Sequence, residues 1–183
     1  MDISFDKYLS ENEENKKFDV VYYLFPERWK KVSIDDSILR EENWSEEIKF
    51  LDKLDSGISD EIKSISNKVG GIYYFFIKGV VLPSFEKYPA YIGRAKYTDS
   101  QNLRKRCMEY YTEYFKKDTR VKISKMIKKW GSYLYLRYLP LEDNELIVNT
   151  EASLINGILP PFNDRIPIIK FEVRKPAFEV NKN

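Results

Sequence analysis

The chain has 183 residues, of which 43% are hydrophobic and 33% are charged, so its composition is that of a globular domain able to bury a core. It contains no histidine, which excludes every mechanism that needs an imidazole base and every zinc site that uses histidine ligands. The single cysteine, Cys107, can form neither an internal disulfide nor a thiolate metal site. Any proton chemistry therefore falls to carboxylates, lysines or the 14 tyrosines.

The net charge of +2 hides an uneven distribution along the chain. Residues 1–69 hold 17 acidic and 11 basic side chains, whereas residues 70–183 hold 12 acidic and 20 basic ones. The whole surplus of the second part lies within residues 94–129, which carry 12 basic and 4 acidic side chains. Such a block suits a polyanion, because lysine and arginine displace the counterions of phosphates. A solvated helical face is the alternative interpretation.

The start of the chain is acidic and has no basic region followed by an apolar run, so we expect no signal peptide and a cytoplasmic protein. The most apolar stretch, residues 72–82, is interrupted by Lys78 and is too short to cross a bilayer. We therefore expect no membrane partner.

The charge shift at residues 69–71 predicts three parts: an acidic N-terminal extension (1–69), a core (70–165) and a C-terminal tail (166–183). In the extension, we predict a strand over residues 18–25 and, from the apolar spacing, helices over residues 45–54 and 59–69. The extension should therefore be rich in helix and should form a packing layer or a partner surface.

The core is predicted to alternate between strands and helices in a way that is typical of a small layered domain. The predicted strands are residues 71–77, 88–92 and 133–139, and the predicted helices are residues 102–115, 119–130 and 145–158. This order predicts an α+β fold in which a small antiparallel or mixed three-stranded sheet is flanked by helices.

Several polar residues of the core occupy positions that such a fold can bring together. They are Tyr73 and Tyr91 in the first two strands, Arg106 and Tyr110 on one face of a helix, Glu151 in the last helix, and Asn163 after the turn at Pro160 and Pro161. A carboxylate, an arginine and several phenols on one surface suit phosphodiester hydrolysis. The carboxylate can hold a divalent cation, and the arginine can neutralise charge on phosphoryl oxygens.

These residues lie in sequence blocks that resemble a known family. Gly71-Ile72-Tyr73 and Tyr91-Ile92-Gly93 are similar to the two tripeptides that name the GIY-YIG nuclease superfamily. The similarity continues in Asn102-Leu103-Arg104-Lys105-Arg106 with Tyr110 four residues later, and in Glu151-Ala152-Ser153-Leu154-Ile155, Pro160 and Phe162-Asn163. The four blocks follow the family's order, fall on the predicted element types and cover roughly residues 70–165.

The resemblance implies a role for each matching residue. Glu151 would be the sole protein ligand of Mg²⁺ or Mn²⁺, and Arg106 would bind the scissile phosphate. Tyr73 would be the general base for water, with Tyr91 assisting it or exchanging roles with it. Tyr110 fills a position where relatives have histidine or tyrosine, and Asn163 would organise the site through hydrogen bonds to backbone or substrate.

Three further basic residues, Arg94, Lys96 and Arg104, are candidates for binding the substrate. Arg94 follows the second tripeptide, where some relatives have a lysine that helps the tyrosine base. An arginine there can stabilise a phenolate or hold a phosphate, but it cannot accept a proton at working pH. Lys96 is the alternative helper. Residues 97–101 resemble an insertion of the kind that restriction enzymes of the superfamily carry, and it is either a loop that reaches DNA or neutral surface variation.

The resemblance implies a metal-dependent endonuclease that hydrolyses DNA, with double-stranded DNA as the expected partner. We expect a restriction or phage-defence enzyme, since the chain has no long linker or second DNA-binding domain. A homodimer is one way in which a chain with one site could cut both strands. The alternatives are a non-catalytic nucleic-acid-binding module, a repair or recombination nuclease of the same superfamily, and an interaction protein that acts through residues 1–69.

Overall fold

The computed structural model describes residues 20–30, 32–52, 57–79, 87–115, 120–164 and 166–167. Within these ranges the chain is an α+β protein with six α-helices and a four-stranded antiparallel sheet. The strands are β1 (Ile48–Lys49), β2 (Gly70–Lys78), β3 (Lys87–Ala95) and β4 (Leu134–Leu141). The helices are α1 (Pro26–Trp29), α2 (Asp36–Leu39), α3 (Asp60–Lys63), α4 (Leu103–Phe115), α5 (Val121–Trp130) and α6 (Asn144–Ile158).

The sheet has the strand order β1-β4-β2-β3, and each neighbouring pair is antiparallel. β2 is a central strand, in which Tyr73 lies opposite Gly93 of β3 on one side and Tyr138 of β4 on the other. The prediction of three strands was incomplete, because the two-residue strand β1 also pairs with β4, with Ile48 opposite Leu136. β3 forms one edge of this sheet.

The side chains of β2 fill both faces of the sheet, since successive residues of a strand point to opposite sides. On one face, Tyr73 and Phe75 join a large buried cluster. The members of this cluster that come from α4 and α5 are Leu103, Cys107, Tyr110, Ile123, Met126 and Ile127. On the other face, Ile72 packs in a smaller cluster with residues of β3 and α6. The sheet is therefore covered by helices on both faces.

The predicted elements of the core are confirmed within the described residues, with their ends shifted by no more than three residues. The helix predicted over 145–158 is α6, and the Asp143 side chain caps it by accepting hydrogen bonds from the amides of Glu145 and Leu146. Residues 80–86, which join β2 and β3, lie outside the described residues.

The predictions for the N-terminal extension were wrong in three places. Residues 20–25 form no strand, residues 45–52 form no helix, and the helix predicted over 59–69 is only the four-residue α3. The reason at residues 45–52 is tertiary, because the Ser45 and Phe50 amides donate to the Tyr138 and Leu134 carbonyl oxygens at 2.8 and 2.9 Å. These bonds to β4 replace helical ones and override the local apolar spacing.

Short helices separated by irregular segments make up most of the described extension. α1, α2 and α3 have four residues each, so the expected richness in helix is not found. Phe50, Ile58 and Ile62 are buried in the same cluster as Phe75 and Leu134. The described part of the extension therefore contributes to the main hydrophobic core. Of the predicted tail, residues 168–183 lie outside the described residues.

No helix within the described ranges is both long enough and apolar enough to cross a membrane.

The substitution Gly71→Ala is expected to lower the free energy of unfolding by about 2–4 kcal/mol. Gly71 has a φ of 156°, and a Cβ there would overlap the carbonyl oxygen of Leu139 in the neighbouring strand β4. Gly131→Ala is the matched control, because Gly131 has helical φ and ψ of −51° and −42° and the nearest neighbour of its Cβ would be a movable Leu51 methyl group. Chemical denaturation measures both variants. A loss for Gly71→Ala no larger than that for Gly131→Ala would contradict the close approach of β2 and β4.

Candidate active site at the edge of the sheet

Six of the nine predicted site residues line one pocket of about 300 Å³ beside the edge strand β3. They are Tyr73 from β2, Tyr91 and Arg94 from β3, Lys96 just after it, Arg106 from α4 and Glu151 from α6. Ala95 and Gln101 complete the lining. Because α4 and α6 cover opposite faces of the sheet, their side chains meet here around its edge.

The ring of Tyr73 lies against Gly93, the residue opposite it on β3. A Cβ on Gly93 would be only 2.5 Å from the Tyr73 hydroxyl oxygen and 2.6 Å from the Cζ atom that bears it. Because Gly93 has no side chain, the Tyr73 ring can occupy this space and extend across β3. The hydroxyl of Tyr73 then lies 3.5 Å from the carbonyl oxygen of Arg94, next to the pocket.

The hydroxyl groups of Tyr73 and Tyr110 are 2.7 Å apart and share a hydrogen bond in the buried core. Burial raises the pKa of both phenols well above the usual value of about 10, although the positive charge of Arg106 opposes this. Both phenols are therefore neutral at pH 7 in the free protein.

Arg106 faces the pocket from α4 and has two kinds of neighbour. Its Nη1 donates to the Glu109 carboxylate at 2.7 Å, and its guanidinium carbon lies 5.6 Å from the centre of the Tyr110 ring. Arg120, which precedes α5, is also 5.6 Å from that ring centre. Its Nη1 is buried and has no hydrogen-bond partner among the described residues. Two guanidinium groups therefore stabilise the position of the Tyr110 ring through cation–π interactions.

Arg94 and Glu151 form an ion pair in the pocket, in which Arg94 Nη1 donates to Glu151 Oε2. The Glu151 side chain is 13% exposed. Burial raises the pKa of its carboxyl group above the usual value. The positive charges of Arg94 and Arg106 act in the opposite direction but do not cancel this effect. Among the described residues that line this pocket, Glu151 is the only one with a carboxylate.

A divalent cation could be held here by one protein carboxylate. Among the described residues, no three or more acidic or cysteine side chains are grouped as a metal site would need. Mg²⁺ keeps several waters and often binds through one or two carboxylates, so Glu151 with bound waters fits its chemistry. Arg94 bonds to Oε2, and Oε1 has no hydrogen-bond partner in the described part of the chain.

Asn163 lies outside the pocket lining and binds the backbone of β3. Its side-chain oxygen accepts from the Ile92 amide at 2.9 Å, and its Nδ2 donates to the Ile92 carbonyl oxygen at 2.8 Å. The Phe162 amide donates to the Ala90 carbonyl oxygen at 3.1 Å. The turn after α6 is therefore fixed to the outer edge of β3, on both sides of Tyr91.

The structure does not bring Arg104 together with the other predicted site residues. Its Nε donates to the carbonyl oxygen of Ile65, so the side chain connects α4 to the segment that follows α3. It lies outside the lining of the pocket. Lys96, by contrast, is exposed and lines the pocket.

Gln101, Glu109 and Arg120 contact the site but were missed by the sequence reasoning. Glu109 follows Arg106 by three residues in a predicted helix, and this spacing could have identified an ion pair. Gln101 could not be found, because it reaches Glu109 only through the folded path of residues 98–101. Arg120 has a left-handed φ of 49° that no local pattern predicts.

Comparisons with known proteins identify no relative of this chain. No family model matches it, and no match was found among curated proteins or among solved structures. The resemblance to the GIY-YIG superfamily therefore stays a prediction from the motifs.

The stability of the protein is expected to fall as the pH rises above about 10. Tyr73 and Tyr110 keep their protons in the folded state because burial raises their pKa, whereas in the unfolded chain each phenol ionises near pH 10. The unfolded state then binds fewer protons, so the free energy of unfolding decreases by up to about 1.4 kcal/mol per pH unit for each tyrosine. Denaturation curves between about pH 8 and pH 12 measure this slope.

The variant Tyr73→Phe/Tyr110→Phe is the control for the pH dependence. It removes both buried phenols together, and so leaves neither hydroxyl without its partner. Its unfolding free energy should depend less on pH above pH 10. An unchanged slope would contradict the burial of the two hydroxyls.

Proposed function

We propose that the chain is a metal-dependent endonuclease that hydrolyses phosphodiester bonds of DNA. The observation that carries the proposal is the convergence of Tyr73, Tyr91, Arg106 and Glu151 on one pocket, although they come from four different strands and helices. A phenol pair, a guanidinium and a carboxylate are the groups that water activation and phosphate binding require.

The charge of the pocket supports an anionic substrate. Among the described lining residues, Arg94, Lys96 and Arg106 are basic and Glu151 is acidic, so this lining carries two more positive than negative charges. A phosphodiester that enters would meet guanidinium donors suited to bidentate contacts with phosphate oxygens. We assign the scissile phosphate to Arg106, the more buried of the two arginines, and assign Arg94 and Lys96 to the flanking backbone.

Glu151 is the residue that would hold Mg²⁺ or Mn²⁺ in this function. When bound, the cation would supply Lewis-acid stabilisation of charge on the phosphate oxygens. The carboxylate is on the pocket wall, and its Oε1 accepts no hydrogen bond from the described residues. A cation at Oε1 would share the carboxylate with Arg94, whose positive charge opposes its binding.

Burial separates the roles of the two tyrosines. Tyr91 is partly exposed, whereas Tyr73 is fully buried and hydrogen-bonded to Tyr110. A general base must reach the attacking water, and burial disfavours the phenolate of Tyr73. We therefore assign proton abstraction to Tyr91, which would act in its phenolate form and become a neutral phenol. Tyr73 serves as a neutral hydrogen-bond donor at the pocket wall, held in place by Tyr110.

The finer role in restriction or phage defence is proposed from the resemblance of the motifs. Double-stranded DNA as the substrate and a homodimer as the cutting unit belong to the same proposal. The basic side chains of the pocket suit the phosphates of any nucleic acid. They therefore support phosphodiester binding, but they do not favour DNA over RNA.

A second candidate function is a nucleic-acid-binding module without catalysis. The ion pair between Arg94 and Glu151 favours it, because this pair neutralises the one carboxylate found in the described lining of the pocket. Such a module would bind DNA with an affinity that falls steeply as salt increases, and it would leave the DNA intact with every divalent metal.

Glu151→Gln is expected to reduce DNA cleavage by roughly 10²-fold or more, because it removes the charge that would hold the cation while preserving the side-chain shape. The measurement is conversion of supercoiled plasmid to nicked and linear forms with Mg²⁺ or Mn²⁺. Glu142→Gln is the matched control, since Glu142 is exposed and lies before α6. In the same assay, Tyr91→Phe should lose more activity than Tyr73→Phe.

Two results of this assay would contradict the proposal. Cleavage by Glu151→Gln at the wild-type rate would refute the assigned metal ligand. Salt-sensitive DNA binding by the wild-type protein with no cleavage under any metal would support the binding module instead.

Arg94→Ala is expected to bind Mn²⁺ about 10-fold more tightly than the wild-type protein in the absence of DNA, since the cation no longer competes with a guanidinium for Glu151. Isothermal titration calorimetry with Mn²⁺ alone measures the affinity. Lys96→Ala also removes one positive charge from the pocket but no bond to Glu151, so it controls for the general loss of charge. Equal gains for the two variants would contradict a specific competition.

A further inference from the structure

Glu109 is a second acidic residue close to the pocket, and it is placed to act on Arg106. Its Oε2 accepts from Arg106 Nη1 at 2.7 Å, and its Oε1 accepts from Gln101 Nε2 at 3.0 Å. Both of its carboxylate oxygens are therefore used, each by a residue that lines the pocket.

Gln101 connects Glu109 to the segment that precedes α4. The Gln101 amide donates to the Thr98 hydroxyl at 3.1 Å, and the Thr98 amide donates to the Gln101 carbonyl oxygen at 2.9 Å, so the segment closes on itself. The side-chain oxygen of Gln101 accepts from the Asn102 amide at 3.0 Å. Both polar atoms of the Gln101 side-chain amide are thus hydrogen-bonded, one of them to Glu109.

Arg106 needs such a partner because the other charges around it are mostly positive. Arg94 and Lys96 line the same pocket, and Glu151, the carboxylate among them, is already paired with Arg94. Arg120 lies at the same Tyr110 ring as Arg106. Like charges repel, so a counter-charge beside Arg106 favours keeping its guanidinium at the pocket.

The pair between Arg106 and Glu109 differs from an ordinary pair on a helix surface. The two side chains are 22% and 31% exposed, so water screens their attraction less than it would in a fully exposed pair. An exposed pair at this spacing has little influence on anything beyond the helix itself. Here, one carboxylate links a pocket arginine to a loop that also borders the pocket.

We propose that Glu109 is a positioning residue for Arg106. Its carboxylate bridges the Arg106 guanidinium and the Gln101 side-chain amide, and so fixes the direction in which Arg106 presents its remaining donors to a phosphate in the pocket. The inference rests on the proposed function, because the role it assigns is the orientation of the residue that binds the scissile phosphate. In this proposal, residues 98–101 hold Glu109 in place through the Gln101 side chain, which lies outside α4.

The first test measures the orientation of Arg106 without any substrate. Rotation of the guanidinium about its Nε–Cζ bond is followed by ¹⁵N NMR of the Nη resonances, in the wild-type protein and in Glu109→Gln. We expect rotation to be roughly 10-fold faster in Glu109→Gln, because a neutral amide binds the guanidinium more weakly than a carboxylate. Glu142→Gln is the control and should leave the rotation unchanged. An unchanged rate in Glu109→Gln would overturn the proposal.

The second test measures catalysis on a defined DNA duplex with Mg²⁺. Glu109→Gln should reduce kcat by roughly 10- to 100-fold while KM changes less, because a misdirected Arg106 fails mainly at the transition state. Glu109→Asp keeps the charge and should restore part of the loss. Circular dichroism and thermal unfolding check that each variant is folded. A kcat equal to that of the wild-type protein would overturn the proposal.

The two tests separate this inference from the proposed function. If the wild-type protein cleaves DNA but Glu109→Gln cleaves it equally well, Glu109 has no positioning role and the function stands. If the wild-type protein cleaves no DNA under any metal, the proposed function fails, and the NMR measurement alone then decides whether Glu109 orients Arg106.

Discussion

The packing of Tyr73 against Gly93 is the constraint on which the candidate site depends. The two residues lie opposite each other on β2 and β3, and no side chain larger than glycine leaves room for the phenol ring. This arrangement takes the Tyr73 hydroxyl from the middle of the sheet to its edge, where it meets Tyr110. Tyr110 in turn lies near the guanidinium groups of Arg106 and Arg120. The glycine thus lets the Tyr73 hydroxyl reach a tyrosine whose ring two basic side chains also contact.

The position of β3 at the edge of the sheet explains how residues from opposite faces share one pocket. α4 covers one face and supplies Arg106, whereas α6 covers the other face and supplies Glu151. In the interior of the sheet, the strands would separate these two side chains. At the edge, Arg106 and Glu151 approach the same pocket. Two acidic residues there each form an ion pair with one arginine. Glu151 pairs with Arg94, and Glu109 pairs with Arg106.

Much of the core could be predicted from sequence, because local patterns and tertiary packing agree there. Residues 71–77 are an unbroken apolar run, which fits a central strand buried on both faces, and residues 145–158 carry an apolar stripe that packs on the same sheet. Residues 45–52 show the opposite case, since their apolar spacing fits a helix but their amides bond to β4. Arg104 belongs to a motif block, yet its direction depends on the carbonyl oxygen of Ile65, which is distant in sequence. Contacts of this kind leave no local signal.

The turn after α6 has a consequence for the behaviour of the protein at high concentration. An edge strand offers unpaired amides and carbonyls, and such edges can recruit a strand from another molecule and start aggregation. Along β3, the Phe162 amide takes the Ala90 carbonyl oxygen, and the Asn163 side chain takes both backbone groups of Ile92. The Asn163 side-chain amide forms the hydrogen bonds that a neighbouring strand would form with Ile92. Unlike a strand, it offers no further backbone groups with which another strand could pair. Asn163, which the motif assigns to the site, therefore also hinders the addition of another strand to β3.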